Sequence, residues 1–115
     1  MATFVLLTAL NTGHDGGAGT IHANSTAEVP ARLEALAALG GMDRAALHSQ
    51  LAAAVHVVLH VHRASDGRRR LREIAVVTPE ETGRVRITPA WNISGEPQPG
   101  RARLDQLLSQ RLEAE

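Results

Sequence analysis

The stretch ALNTGHDGGAGTIHANS, Ala9 to Ser25, decides how this chain is read. It sets two histidines, His14 and His22, eight positions apart around Gly16, Gly17 and Gly19. Glycine-rich loops expose backbone amides to phosphates, and a phosphate loop ordinarily adds a lysine. This chain has no lysine, because all twelve of its positive charges are Arg. The histidines therefore need another account. In one, Asn, Gly and Asp build a tight helix-to-strand turn and His22 is a hydrogen-bonded residue at a strand end. In the other, His22 ends a strand at the carboxyl edge of an α/β sheet, where such sheets bind ligands. Its imidazole would there donate to a phosphate oxygen, and His14 would reach the same ligand or a neighbouring subunit.

Working outward, residues 3–11 are apolar and read as the end of a helix stopped by Asn11-Thr12-Gly13. Gly19–Ala23 reads as a short buried strand. A helix begins near Ser25/Thr26, carries Leu33, Leu36 and Ala37 at helical spacing, and stops at Gly40-Gly41. A second helix runs from an Asp43 N-cap to Ala54. The period then becomes two. In VHVVLHVHR, Val55, Val57, Leu59 and Val61 face one way and His56, Val58, His60 and His62 the other. Turns at Asp66-Gly67 and in PEETG separate this strand from Arg68–Val77 and Arg84–Thr88, an antiparallel meander. Residues 94–100 read as a linker. Residues 101–115 read as an amphipathic helix with Leu104, Leu107, Leu108 and Leu112 on one face. The expected division is 1–93, 94–100 and 101–115. There is no internal repeat.

Composition narrows the class. The chain has 115 residues, enough for one small domain, with 43% hydrophobic residues and a formal net charge of zero. Charge balance argues against a dedicated nucleic-acid binder, so no nucleic-acid partner is expected. The absence of Cys removes disulfides and thiolate metal sites. MATFVLLTAL has no basic n-region, and no apolar run is long enough to span a membrane, which fits a cytoplasmic protein.

ALNTGHDGGAGTIHANS closely resembles the His box of the secretion and pilus-assembly ATPases of type II and type IV secretion, type IV pili, Tad pili and conjugation. The resemblance continues through ARLEALAALGGMD, LHSQLAAAVHVVLHVHR and DGRRRLREIAVV, covers roughly residues 6–78, and looks closest to the Tad-like branch. It implies an α/β fold, the C-terminal part of a RecA-like P-loop ATPase domain, in the order helix, strand, two helices, antiparallel meander, helix. It implies ATP and Mg as cofactors, with the other ATPase subunits of a hexamer and an inner-membrane secretion or pilus platform protein as partners. Location would then be cytoplasmic, peripheral to the membrane through those partners. His14 and His22 match the two His-box histidines, whose implied role is nucleotide sensing. Arg32 matches the arginine of the following helix, with a supporting, salt-bridging role.

The rest of the family's machinery has no match here. Without Lys there is no Walker A loop, and no acidic residue precedes Asp15 to serve as Walker B or Asp box. The chain thus reads as a C-terminal piece that does not hydrolyse ATP alone. The strand at Gly19–Ala23 is expected inside a parallel sheet left incomplete at its N-terminal side, with unpaired edges. Two alternatives stand beside this reading. One is a stand-alone interaction module that docks on intact ATPase subunits. The other is a small His-rich metal-binding protein using His56, His60 and His62. Histidines at i and i+2 of a strand lie about 7 Å apart, so His60 and His62 could share an ion. No carboxylate accompanies them in the pattern, so no metal is expected. Arg68, Arg69, Arg70 and Arg72 read as a solvated strand end after a turn.

Overall fold

Five stretches rich in β-branched residues build one sheet in the computed structural model, which describes residues 2–8 and 18–114. The strands are β1 (Ala2–Thr8), β2 (Ala18–Ala23), β3 (Val55–Arg63), β4 (Arg69–Pro79) and β5 (Val85–Asn92). Their order is β2-β1-β3-β4-β5, and every neighbouring pair is antiparallel. Helices α1 (Val29–Leu39) and α2 (Arg44–Ala54) lie between β2 and β3 in the chain, and α3 (Arg101–Ala114) ends it.

Two sequence expectations are overturned here. Residues 2–8 form a central strand rather than the end of a helix. The run Thr3-Phe4-Val5 suits a pleated surface, and the slot between β2 and β3 pairs it on both sides. β2 is correspondingly not inside a parallel sheet. It is an antiparallel edge strand, with Ile21 opposite Phe4 and His22 opposite Thr3. One neighbour that the pattern left missing is β1 itself, while among the described residues the outer edge of β2 is unpaired, as expected.

Both sheet faces are covered, so apolar residues of β3 are buried on either side, Val58 on one face and Val57 on the other. On one face α1 and α2 seal Phe4, Ile21, Ala23, Val58, Ala75 and Val77 together with Val29, Leu47 and Leu51. On the other, Leu104 and Leu107 of α3 pack on Val57, Leu59, Ile74, Val76 and Ala90. The expected alternation in β3 holds for Val57, Leu59 and Val58. Val55 departs from it and joins the α1/α2 core, next to the register shift between Leu7 and Thr8 of β1. In α3 the expected four-leucine face is narrower, because Leu108 is 54% exposed.

The helix ends follow their sequence signals. Asp43 caps α2 by accepting from the Ala46 N–H at 2.8 Å. Gly41, at φ +83°, lets the chain leave α1 while Met42 N–H returns to the Ala37 carbonyl at 2.9 Å. At the start of α1, Ser25 makes no side-chain cap. A single 3-10 turn, Thr26–Glu28, precedes the helix, and the Glu28 carboxylate accepts from Asn24 N–H at 2.9 Å. The segment 94–100 is fastened to the sheet: Gly100 N–H donates to the Pro89 carbonyl at 2.7 Å. Pro89 sits on the edge strand β5, where a missing N–H is tolerated.

Candidate functional site

β2 sorts its residues by alternation. Ile21 and Ala23 turn into the core, so His22 between them is exposed on the opposite face. Arg32, three residues into α1, donates from Nε to the His22 carbonyl at 3.1 Å. This bond ties α1 to the end of an edge strand, where unpaired main-chain groups need partners. Arg32 acts through main chain here, and no ion pair among the described residues includes it. His14 lies outside the described residues, so of the two histidines in the opening stretch only His22 is placed.

The three histidines of β3 separate. His60 stacks on Phe4, directly across the ladder, with ring centroids 4.4 Å apart and planes at 24°. Its Nε2 is buried and lacks a hydrogen-bond partner. Burial holds the His60 pKa below the usual imidazole value. The carboxylate of Glu73, opposite it in the ladder, works against that shift, and the charges of Arg72 and His62 add to it. His56 is half-buried and His62 exposed. Among the described residues no three His, Asp or Glu side chains are grouped to hold a metal.

His60 opens onto a cleft of about 860 Å³ at the end of the sheet. One wall is the Asn24–Ala27 segment and the other the strand ends around the β3–β4 hairpin. Arg63, Arg69 and Arg72 line it. Arg72 is the extra residue of a β-bulge: His60 pairs with Glu73 and Val61 with Leu71, so Arg72 has no partner in the ladder. The Thr26 hydroxyl donates to the Glu73 carboxylate and fixes the floor between the two walls. Arg70, by contrast, is held outward by Asp66 at 2.7 Å. Arg68, Arg69, Arg70 and Arg72 are all exposed, as expected of a solvated strand end, and Arg69 and Arg72 among them border the cleft.

A third node carries structure rather than access. His48 of α2 is 3% exposed, its Nδ1 accepts the Val85 N–H at 2.9 Å, and its Nε2 meets Glu34 of α1 at 2.8 Å. With Nδ1 accepting, the proton sits on Nε2 and donates to the carboxylate. One imidazole thus joins α1, α2 and the first residue of β5. The hydrogen bond from His48 holds Glu34 below the usual carboxylate range, partial desolvation opposes it, and Arg44 at 3.4 Å assists. His48 lies eight positions before His56 in the sequence but on α2 rather than on β3. Nothing local in the sequence couples it to Glu34, 14 positions earlier on another helix, or to Val85, 37 positions later.

Comparison with known proteins adds to this geometry. Residues 2–110 match the type II/IV secretion system protein family. The chain is 61% identical over 109 residues to a putative conjugal transfer protein of Mycobacterium tuberculosis, covering 95% of this chain and 31% of that protein. It is 36% identical over 86 residues to a probable conjugal transfer protein TrbB of Sinorhizobium fredii, covering 75% of this chain and 26% of that one. A conjugal transfer protein TrbB of Rhizobium radiobacter is 37% identical over 73 residues, 64% of this chain and 22% of that protein. The chain thus spans about a third of the length of its mycobacterial relative. No solved structure gives a significant match.

Proposed function

The chain belongs to the type II/IV secretion system protein family, and from that premise we propose that it is the C-terminal portion of a secretion or conjugal-transfer ATPase subunit, built on a RecA-like parent domain. His14 and His22 are its nucleotide-sensing residues, and Arg32 supports them by fixing the strand end. The observation that carries this reading is the exposed His22, held at the end of an edge strand by Arg32, within a chain that matches the family over nearly its whole length. The names of the relatives place them in conjugal transfer. Partners are other subunits of a hexameric motor and an inner-membrane platform protein, which would hold the chain at the cytoplasmic face. No helix among the described residues is long and apolar enough to cross a membrane.

The donor set in this chain does not fit Mg-ATP by itself. It has no lysine for the phosphates, and its described residues bring no cluster of carboxylates together for the ion. The purified chain is therefore expected to release phosphate from ATP at buffer background. Substituting it for the matching segment of the full-length mycobacterial relative tests the rest. The chimera should hydrolyse ATP, and His22→Ala should lower kcat while assembly, read by size exclusion, is unchanged. Turnover in the isolated chain that His22→Ala abolishes, or a chimera indifferent to His22 and His14, refutes the reading.

A second reading draws on the sheet. All five strands and both apolar clusters come from this chain. That favours a module able to fold and to dock on intact ATPase subunits. Co-elution with a full-length relative in size exclusion is the expected result, and separate elution at micromolar concentration counts against it.

A further inference from the structure

We propose that β2 is a docking edge for a second copy of this chain, the two β2 strands pairing antiparallel about a two-fold axis near Thr20, in a contact independent of the family reading. The two edges of the sheet are built differently. The β5 edge is used up within the chain. Val85 N–H goes to His48 Nδ1 at 2.9 Å, Pro89 has no N–H, and the Pro89 carbonyl takes Gly100 N–H at 2.7 Å. A register shift opposite Ile74 and Ala75 also breaks its ladder with β4. Proline and irregular pairing are ordinary means of keeping an edge from adding a strand. β2 has neither. AGTIHA contains no Pro and no Arg, Asp or Glu, and its pairing with β1 runs from Ala23 to Ala18 without a shift. On its outer side, among the described residues, only the His22 carbonyl has a partner, Arg32 Nε at 3.1 Å.

A row of free N–H and C=O groups accepts an extended backbone, and apolar surface beside it adds affinity. That surface is present. Arg32, Leu36 and Leu39 fall on one stripe of α1, at i, i+4 and i+7, and the first member of the stripe reaches β2. Leu36 is 54% and Leu39 86% exposed, so the stripe continues from the strand as an uncovered apolar flank. Three properties select a second copy as the occupant. A strand turned about a two-fold axis offers the same donors and acceptors that it needs, so an antiparallel pair of β2 strands is self-complementary. β2 against β2 sets no Arg, Asp or Glu opposite its like, and a net charge of zero leaves no overall repulsion between copies. The same rotation turns the Leu36–Leu39 flank of one copy toward that of the other, so each covers its equal. Such a contact closes at two copies, unlike the head-to-tail contact that makes a ring.

Sedimentation velocity and size exclusion of the whole chain across the micromolar range test this. The expected result is a saturable monomer–dimer equilibrium. Thr20→Lys should weaken it at least tenfold, by setting like charges opposite each other across the two-fold axis. Leu36→Glu with Leu39→Glu should do the same, and both variants should keep the far-UV circular dichroism spectrum. Ile93→Glu changes a 63% exposed apolar residue beyond β5, at the opposite edge, and should leave association within twofold. The chain has no Cys, so Thr20→Cys and Ser109→Cys each supply a unique thiol. A short bis-maleimide should link two copies through position 20 and not through position 109, a comparison that decides the matter if a charged variant folds poorly. A monomer at every concentration, open-ended growth, a loss for Ile93→Glu equal to that for Thr20→Lys, or linking at 109 as readily as at 20 would overturn the proposal. So would a chain that stays monomeric alone and pairs only with the upstream portion of its full-length mycobacterial relative.

Discussion

Replacing His48 by alanine tests the central reading of how the helices are locked to the sheet. The substitution removes the acceptor of the buried Val85 N–H and the donor to Glu34. A buried donor left without a partner costs about 1–3 kcal/mol. The bond to Glu34 contributes less than a fully buried charged bond, because that side chain is 26% exposed and rehydrates. Adding the space left by a buried ring, the expected loss is about 3 kcal/mol. Urea unfolding followed by the single Trp91 measures it. With a slope of about 1–3 kcal/mol per molar, the midpoint should fall by about 1–3 M. His48→Asn places an amide oxygen near the Nδ1 position and should recover about 1 kcal/mol of the loss by accepting from Val85 N–H. A His48→Ala midpoint that barely moves, or an Asn variant no better than Ala, would refute the assignment of His48 as the shared pin.

Two further outcomes follow from the same geometry. Glu34 is held below the usual carboxylate range when folded, so its contribution is fully present above its unfolded pKa, near 4.3, and is lost as pH falls through the lower folded value. The stability difference between wild type and Glu34→Gln, measured by urea unfolding from pH 6 to pH 3, should therefore shrink on acidification; a difference that grows contradicts it. Gly100→Ala should destabilise by about 1–3 kcal/mol, because a Cβ there would stand 2.8 Å from the Pro89 carbonyl oxygen and 3.0 Å from Val76 Cγ2. A thermal melt within a degree of wild type would show that the junction into α3 yields more easily than the packing implies.

Much of the fold is legible because local signals are strong. Asp43 three positions before Ala46, Gly40-Gly41 after a leucine-bearing run, and Asp66-Gly67 between alternating stretches each act within a few residues. The two helices and the meander stand where those signals put them. Residues 2–8 defeat the same method. Their apolar run suits a buried helix and a buried strand equally, and only pairing on both sides, with β2 and β3, makes them a strand. The candidate residues divide in the same way. That His22 lies on a strand was legible, but Gly19–Ala23 reads as buried throughout, and only the edge position of β2, with Ile21 and Ala23 turned inward, leaves His22 exposed. That its carbonyl is held by Arg32 depends on where α1 packs.

The sequence by itself pointed to the family and to the presence and order of the two helices, the turns and the meander of residues 25–92, because these depend on residue identity and on spacings of a few positions. Tertiary structure alone decided the antiparallel order β2-β1-β3-β4-β5, the pin through His48, and the cleft that gathers Arg63, Arg69 and Arg72 beside an orphaned His60 nitrogen. Those features join residues tens of positions apart, and only the closing of the sheet between its helices brings them within bonding distance. The stretch from Ala9 to Ser25 shows both sides: its motif points to the family without structure, while only the fold puts His22 on an edge strand, exposed, with its carbonyl held by Arg32.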